Sequence, residues 1–99
     1  MVKLSPIHPG EILFYEFIEP FGLSQRGLAT AMQVPPRRIN EIVHGIRGIT
    51  ADTAIRLGVA LGTTAHFWMN LQTQYDLEVA QDKLKEETIA LHRLEVIPV

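Results

Sequence analysis

The chain contains no cysteine. That excludes disulfides, thiolate metal sites and a cysteine nucleophile. Serine is almost as scarce, with Ser5 and Ser24 alone, so nucleophilic catalysis has few starting points. The four histidines, His8, His44, His66 and His92, are widely separated, and none sits in a His-x₃-His or His-Glu-x-x-His pattern. His8 and Glu11, three apart at a helix start, read as a capping pair and not as an acid–base couple. Gly45-Ile46-Arg47-Gly48 lacks the strand and the lysine of a phosphate loop. No metal site and no cofactor are therefore expected, and a hydrolase has no candidate constellation. The amino end lacks the basic, apolar, small-residue order of a signal peptide, and no apolar run approaches the ~20 residues that span a bilayer. The expectation is a soluble, cytoplasmic protein without membrane partners.

What is present is a chain of 99 residues, 46% hydrophobic and 20% charged, which predicts one globular domain over residues 1–99. The net charge of −2 is unevenly spread. Residues 22–60 carry Arg26, Arg37, Arg38, Arg47 and Arg56 against Glu41 and Asp52, a surplus of three positive charges, while residues 61–99 carry a surplus of three negative ones. A basic centre between acidic ends suits a nucleic-acid reader with a separate partner surface, and also arises by chance in small bundles.

The basic centre holds the most informative stretch, LSQRGLATAMQVPPRRINEIVHG, Leu23 to Gly45. Ser24 can cap a helix whose apolar stripe is Leu28, Ala29 and Met32, and Pro35 ends it. Pro36 suits a first helical position, and Ile39, Ile42 and Val43 then share one side of a second helix. Arg37, Asn40, Glu41 and His44 lie on the opposite arc, with Arg38 at its edge. Arginine suits guanine edges or phosphates and asparagine suits adenine, so the stretch reads as a helix-turn-helix with 36–44 as recognition helix. Arg47, in the following loop, is either a phosphate clamp or a solvated side chain. Thr50 caps the next helix, where its hydroxyl and the nearby N–H groups could also meet a phosphate.

Around this motif the pattern predicts an all-α, five-helix bundle with its helix-turn-helix core over 8–62 and a long carboxyl-terminal helix and tail over 64–99. A first helix opens at His8-Pro9-Gly10-Glu11 and runs to about Glu19 with Leu13, Phe14, Phe17 and Ile18 inward. Ile12 and Tyr15 project among Glu11, Glu16 and Glu19, either partly covered by the bundle or docking a partner protein. The fourth helix supplies Ala54, Leu57, Val59 and Leu61 to the core and stops at Gly62. The fifth, capped by Thr64, carries Phe67, Trp68, Leu71 and Tyr75, and Trp68 reads as core sooner than as a base-stacking residue. Running from Ala65 to about Leu84 it would be roughly 30 Å long. Leu77, Ala80 and Leu84 share a distal face that is covered either by a second copy of the chain or by the residues after Leu84. The end, Leu94 to Val99, is either a strand or a loose tail.

Three segments, HPGEIL at 8–13, VPPRRINEIVHGIRGITADTAIRLGVALGT at 34–63 and FWMNLQTQYDL at 67–77, resemble the HigA/VapI type of antitoxin within the Cro/CI-like helix-turn-helix regulators. The resemblance covers nearly the whole chain. It implies a lambda-repressor-like DNA-binding domain, a homodimer on a palindromic operator, repression of its own operon and neutralisation of a cognate toxin that cleaves mRNA. Residue by residue it implies phosphate contact by Gln25, base reading by Arg37, Arg38, Asn40 and Glu41, and a basic loop at Arg47. Three departures from the family's usual pattern involve four positions. Gln33 stands where glycine is usual, so the turn must hold a side chain in a conformation glycine takes more easily. Arg37 stands where a smaller polar residue is more frequent. Phe14 and Tyr15 replace residues more often charged. The competing reading is a helix-turn-helix fold used for protein interaction, or an orphan transcriptional regulator without a toxin.

Overall fold

His8 starts the fold. In the computed structural model, which describes residues 4–87 and 90–95, its Nδ1 accepts from the Gly10 N–H at 2.9 Å while its own N–H donates to Glu11 Oε2 at 3.1 Å. This reciprocal capping box opens α1 (Pro9–Ile12), with proline at its first position. The chain continues as a π-helical segment, Leu13–Ile18, closed by i to i+5 bonds such as Glu19 N–H to Phe14 O at 2.9 Å. The regular α-helix expected to Glu19 is thus corrected. Residues five apart lie about 140° apart on a regular α-helix, and with this wider turn Leu13 and Ile18 are both buried in the core while Phe14 and Phe17 remain partly covered.

Four helices follow: α2 (Gln25–Met32), α3 (Pro36–Val43), α4 (Ala51–Leu61) and α5 (Ala65–Glu86). Local side-chain caps start three of them, because Ser24, Thr50 and Thr64 each accept from a backbone N–H three residues on. Gly62 ends α4 in the left-handed conformation, φ 73°. The core joins Leu13 and Ile18 to Leu28, Met32, Ile39, Ile42, Ile49 and Leu57, with Trp68 at 0% exposure. The Trp68 indole packs on Phe17 and Phe67 at centroid distances of 5.2 and 5.0 Å, and its Nε1 donates to Thr63 Oγ1 at 2.7 Å. It is a satisfied core residue that clamps the first helix to α5.

Val59, expected in the core, is 83% exposed. Thr53, Ala54, Leu57 and Gly58 take the inward side of α4, and Val59, 200° around the helix from Leu57, points away with Ile55. On α5, Leu77, Ala80 and Leu84 are also exposed. The intrachain alternative, cover by the residues after Leu84, is not realised by residues 90–95, where Leu91 and Leu94 are themselves exposed and irregular. The strand considered for 94–99 falls mostly outside the described residues. No helix among the described residues is long and apolar enough to cross a membrane.

Burial pushes the His8 imidazole below its ordinary pKa, against the smaller opposing pull of Glu11 and Asp76. Its Nδ1 must stay unprotonated to accept from Gly10, and the ring packs edge-on against Tyr75 at 4.9 Å. Because the unfolded chain takes up this proton first, the contribution of His8 to stability is complete above about pH 6.5, the unperturbed value, and is lost as pH falls toward the lower folded value. Thermal melts between pH 7.5 and 5.5 should therefore show a falling midpoint. The fall should be shallower in His8→Asn, which retains an N-capping side chain; equal slopes in the two proteins would contradict this role.

Candidate nucleic-acid interface

Helices α2 and α3 meet through a tight turn whose residue Gln33 has φ 56° and ψ 47°, the left-handed conformation foreseen at that position. Pro35 precedes α3 in extended conformation and Pro36 begins it. Ile39 and Ile42 anchor α3 at 0% exposure. The opposite side faces solvent, and there the Arg37 side chain is 86% exposed and Asn40 is exposed. The Asn40 Nδ2 donates to Gln25 Oε1 at 3.2 Å. That bond ties the first residue of α2 to the middle of α3, so the expected phosphate-contacting and base-reading residues share one surface.

The other expected site residues are placed differently from one another. Glu41 is only 18% exposed, and its Oε1 accepts from Arg47 Nη2 and Nε at 2.9 and 3.1 Å. Its Oε2 lies 3.4 Å from Arg37 Nε. The hydrogen bonds from Arg47, with the positive charges of Arg47 and Arg37, hold the carboxyl below the usual carboxylate range. Arg47, half-exposed, is thus paired with Glu41 in the unbound protein. Its loop is pinned on the far side, where Ile49 N–H donates to Gln72 Oε1 at 2.7 Å. Arg38 is 31% exposed and 3.8 Å from Asp52, which also binds Arg56 at 2.9 Å. Arg56 in turn donates through Nη1 to the Met32 carbonyl at 2.9 Å, capping α2. The Thr50 hydroxyl is committed to Thr53, as cap acceptor at 3.3 Å and as donor to Thr53 Oγ1 at 3.2 Å.

Four of the five arginines in the basic centre thus share two carboxylates, Glu41 and Asp52. The fifth, Arg26, is exposed beside Gln25 and has no ion pair among the described residues. Sequence reading passed over it, although its position next to Gln25 in the first turn of α2 was a usable signal. The two residues expected to meet a partner are separated. Ile12 lines a groove of about 610 Å³ with Leu4, Ile7, Leu71 and Tyr75, whereas Tyr15 borders a smaller crevice with Glu11, Gln25, Val43 and His44. Among the described residues no cluster of three His, Asp or Glu side chains could hold a metal.

The helix-turn-helix family profile matches residues 14–68, which spans the motif and its supporting helices. Virulence-associated protein I of Dichelobacter nodosus is 56% identical over 82 residues, covering 82% of this chain and 76% of that protein. The chain belongs to the HigA/VapI-type helix-turn-helix antitoxins. Among solved HigA-type structures, antitoxin GraA superposes with a TM-score of 0.85 at 43% identity, over 93% of this chain and all of that one. An antitoxin HigA from Pseudomonas aeruginosa, solved with the higBA promoter, superposes with a TM-score of 0.79 at 48% identity, over 84% of this chain and 90% of that one. The five helices, including the long α5, are those of HigA-type antitoxins.

Proposed function

We propose that the chain is the antitoxin of a type II toxin–antitoxin module, a non-enzymatic cytoplasmic protein that binds its own operator and neutralises a cognate mRNA-cleaving toxin. The observation that carries this reading is the surface of α3, where exposed Arg37 and Asn40 stand on a helix anchored by buried Ile39 and Ile42, in a domain that superposes on an antitoxin solved with promoter DNA. Arg37 and Asn40 read base edges, with Arg38 at the margin. Gln25, Arg47 and the amino end of α4 at Thr50 approach phosphates, and Arg26 joins them.

Reading a palindrome requires two copies. The pair forms through the uncovered side of α5, where exposed Leu77, Ala80 and Leu84 fall within one arc, continued by half-buried Met69 and by Ile55 of α4, which shares a crevice with Met69. The toxin has two apolar surfaces to use, the groove at Ile12 and the exposed ring of Tyr15. A mobility-shift titration on the duplex upstream of the chain's own gene tests the reading. Wild type should bind it far more tightly than a scrambled duplex, as two copies per site. Leu84→Asp should sediment as a monomer and lose the operator complex at concentrations where wild type binds fully. Equal affinity for both duplexes would overturn the DNA-reading role, and co-purification with the product of the adjoining reading frame tests the antitoxin role separately.

A further inference from the structure

Glu41 sits in the middle of the proposed DNA-reading face, yet its carboxylate is turned to its own chain. It accepts twice from Arg47 and neighbours Arg37 at 3.4 Å. A carboxylate that binds a guanidinium through Nε and Nη2 occupies the fork a phosphate would otherwise fill. We propose that Glu41 is an internal substitute for DNA phosphate, a positioning residue that holds Arg47 in the unbound protein and so keeps affinity for arbitrary DNA low. This rests on the reading of α3 as the DNA-binding surface and adds to it what sets the ratio of specific to non-specific binding.

The geometry separates the two duties of Glu41. Its backbone carbonyl accepts from the Ile46 and Arg47 N–H groups at 2.9 and 3.2 Å and shapes the loop, a role that survives any change of side chain. The side chain alone manages charge. Phosphate binding that needs Arg47 must exchange one acceptor for another of like charge, so the gain from Arg47 on any duplex is small unless the operator also engages Arg37 and Asn40 and draws the arginines away from Glu41. Without the carboxylate, the Arg47 guanidinium would face every phosphate the protein meets, and counterion release would reward that contact regardless of sequence.

Glu41→Gln removes the charge at almost constant shape. On a scrambled duplex it should raise affinity about three- to tenfold at low salt and steepen the dependence of log K on log salt by about 0.9, the value for one added phosphate contact. Operator affinity should rise less, so the specificity ratio falls. Glu41→Asp, which restores the charge, should return the scrambled-duplex affinity toward wild type, and Glu41→Gln combined with Arg47→Ala should lose the gain. Glu41→Ala serves as a second charge-free variant should the glutamine protein fold poorly. An unchanged scrambled-duplex affinity and salt slope would overturn the proposal, as would a loss of operator affinity confined to one base position, which would make Glu41 a base reader. Failure of both charge-free variants to fold would overturn it as well, since Glu41 would then belong to the fold. If wild type itself does not prefer its operator, the underlying DNA-reading role fails instead.

Discussion

Gly10→Ala is expected to destabilise the domain by about 3 kcal/mol or more, through overpacking against backbone. A Cβ at position 10 would lie 1.8 Å from the Ile42 carbonyl oxygen and 2.7 Å from its carbon. Neither atom can swing aside as a flexible side chain would, so α1 must back away from α3. The same Cβ would come within 3.1 Å of His8 Nδ1, the atom that caps α1. At about 4–8 °C per kcal/mol for a domain of this size, the melting midpoint should fall by roughly 10–25 °C. Gly22→Ala is the contrast, because position 22 has φ 62° with nothing within 4 Å of the added carbon, and its cost is the left-handed penalty of about 1 kcal/mol. Equal melting of the two variants would mean that α1 does not rest on the recognition helix.

That contact was not legible in the sequence, where Gly10 reads only as part of a helix start. What could be read was local. Ser24, Thr50 and Thr64 cap helices because a hydroxyl reaches an N–H three residues on, and Gln33 and Gly62 turn left-handed where a helix must stop. The five-helix order and the anchoring of α3 through Ile39 and Ile42 follow from apolar spacing alone. Val59 shows the limit of counting apolar residues without their angle, since Leu57 and Val59 cannot both face inward on one helix. The π-turn has no sequence signal that separates it from α-helix over six residues. The charge pairing was hidden for a different reason. Arg38 meets Asp52, Asn40 meets Gln25 and Arg56 meets the Met32 carbonyl across 14 to 24 residues of chain, so a helical wheel displays these side chains as free when tertiary structure has already given them partners.

The second large effect concerns recognition. Arg37→Ala is expected to lower operator affinity by about 1–3 kcal/mol, or roughly 5- to 150-fold. Arg37 is the most favourably placed candidate because its side chain is 86% exposed and its single ion pair, to Glu41 at 3.4 Å, is a surface pair of small worth. Arg38 should matter less, being 31% exposed and placed beside Asp52. Asn40→Ala should lose a comparable amount for a different reason. It removes a neutral donor–acceptor pair suited to adenine, and it releases Gln25 from the bond that joins the two helices. Having no charge to lose, Asn40→Ala should leave the salt dependence unaltered, whereas Arg37→Ala makes it shallower by up to about 0.9.

The decisive quantity is the ratio of operator to scrambled-duplex affinity for Arg37→Ala, titrated by mobility shift at one fixed salt concentration beside wild type. A ratio that falls about 5- to 150-fold, with the scrambled duplex bound nearly as before, is the result expected if α3 reads sequence through this side chain. An undiminished ratio, with both affinities falling together, would contradict it.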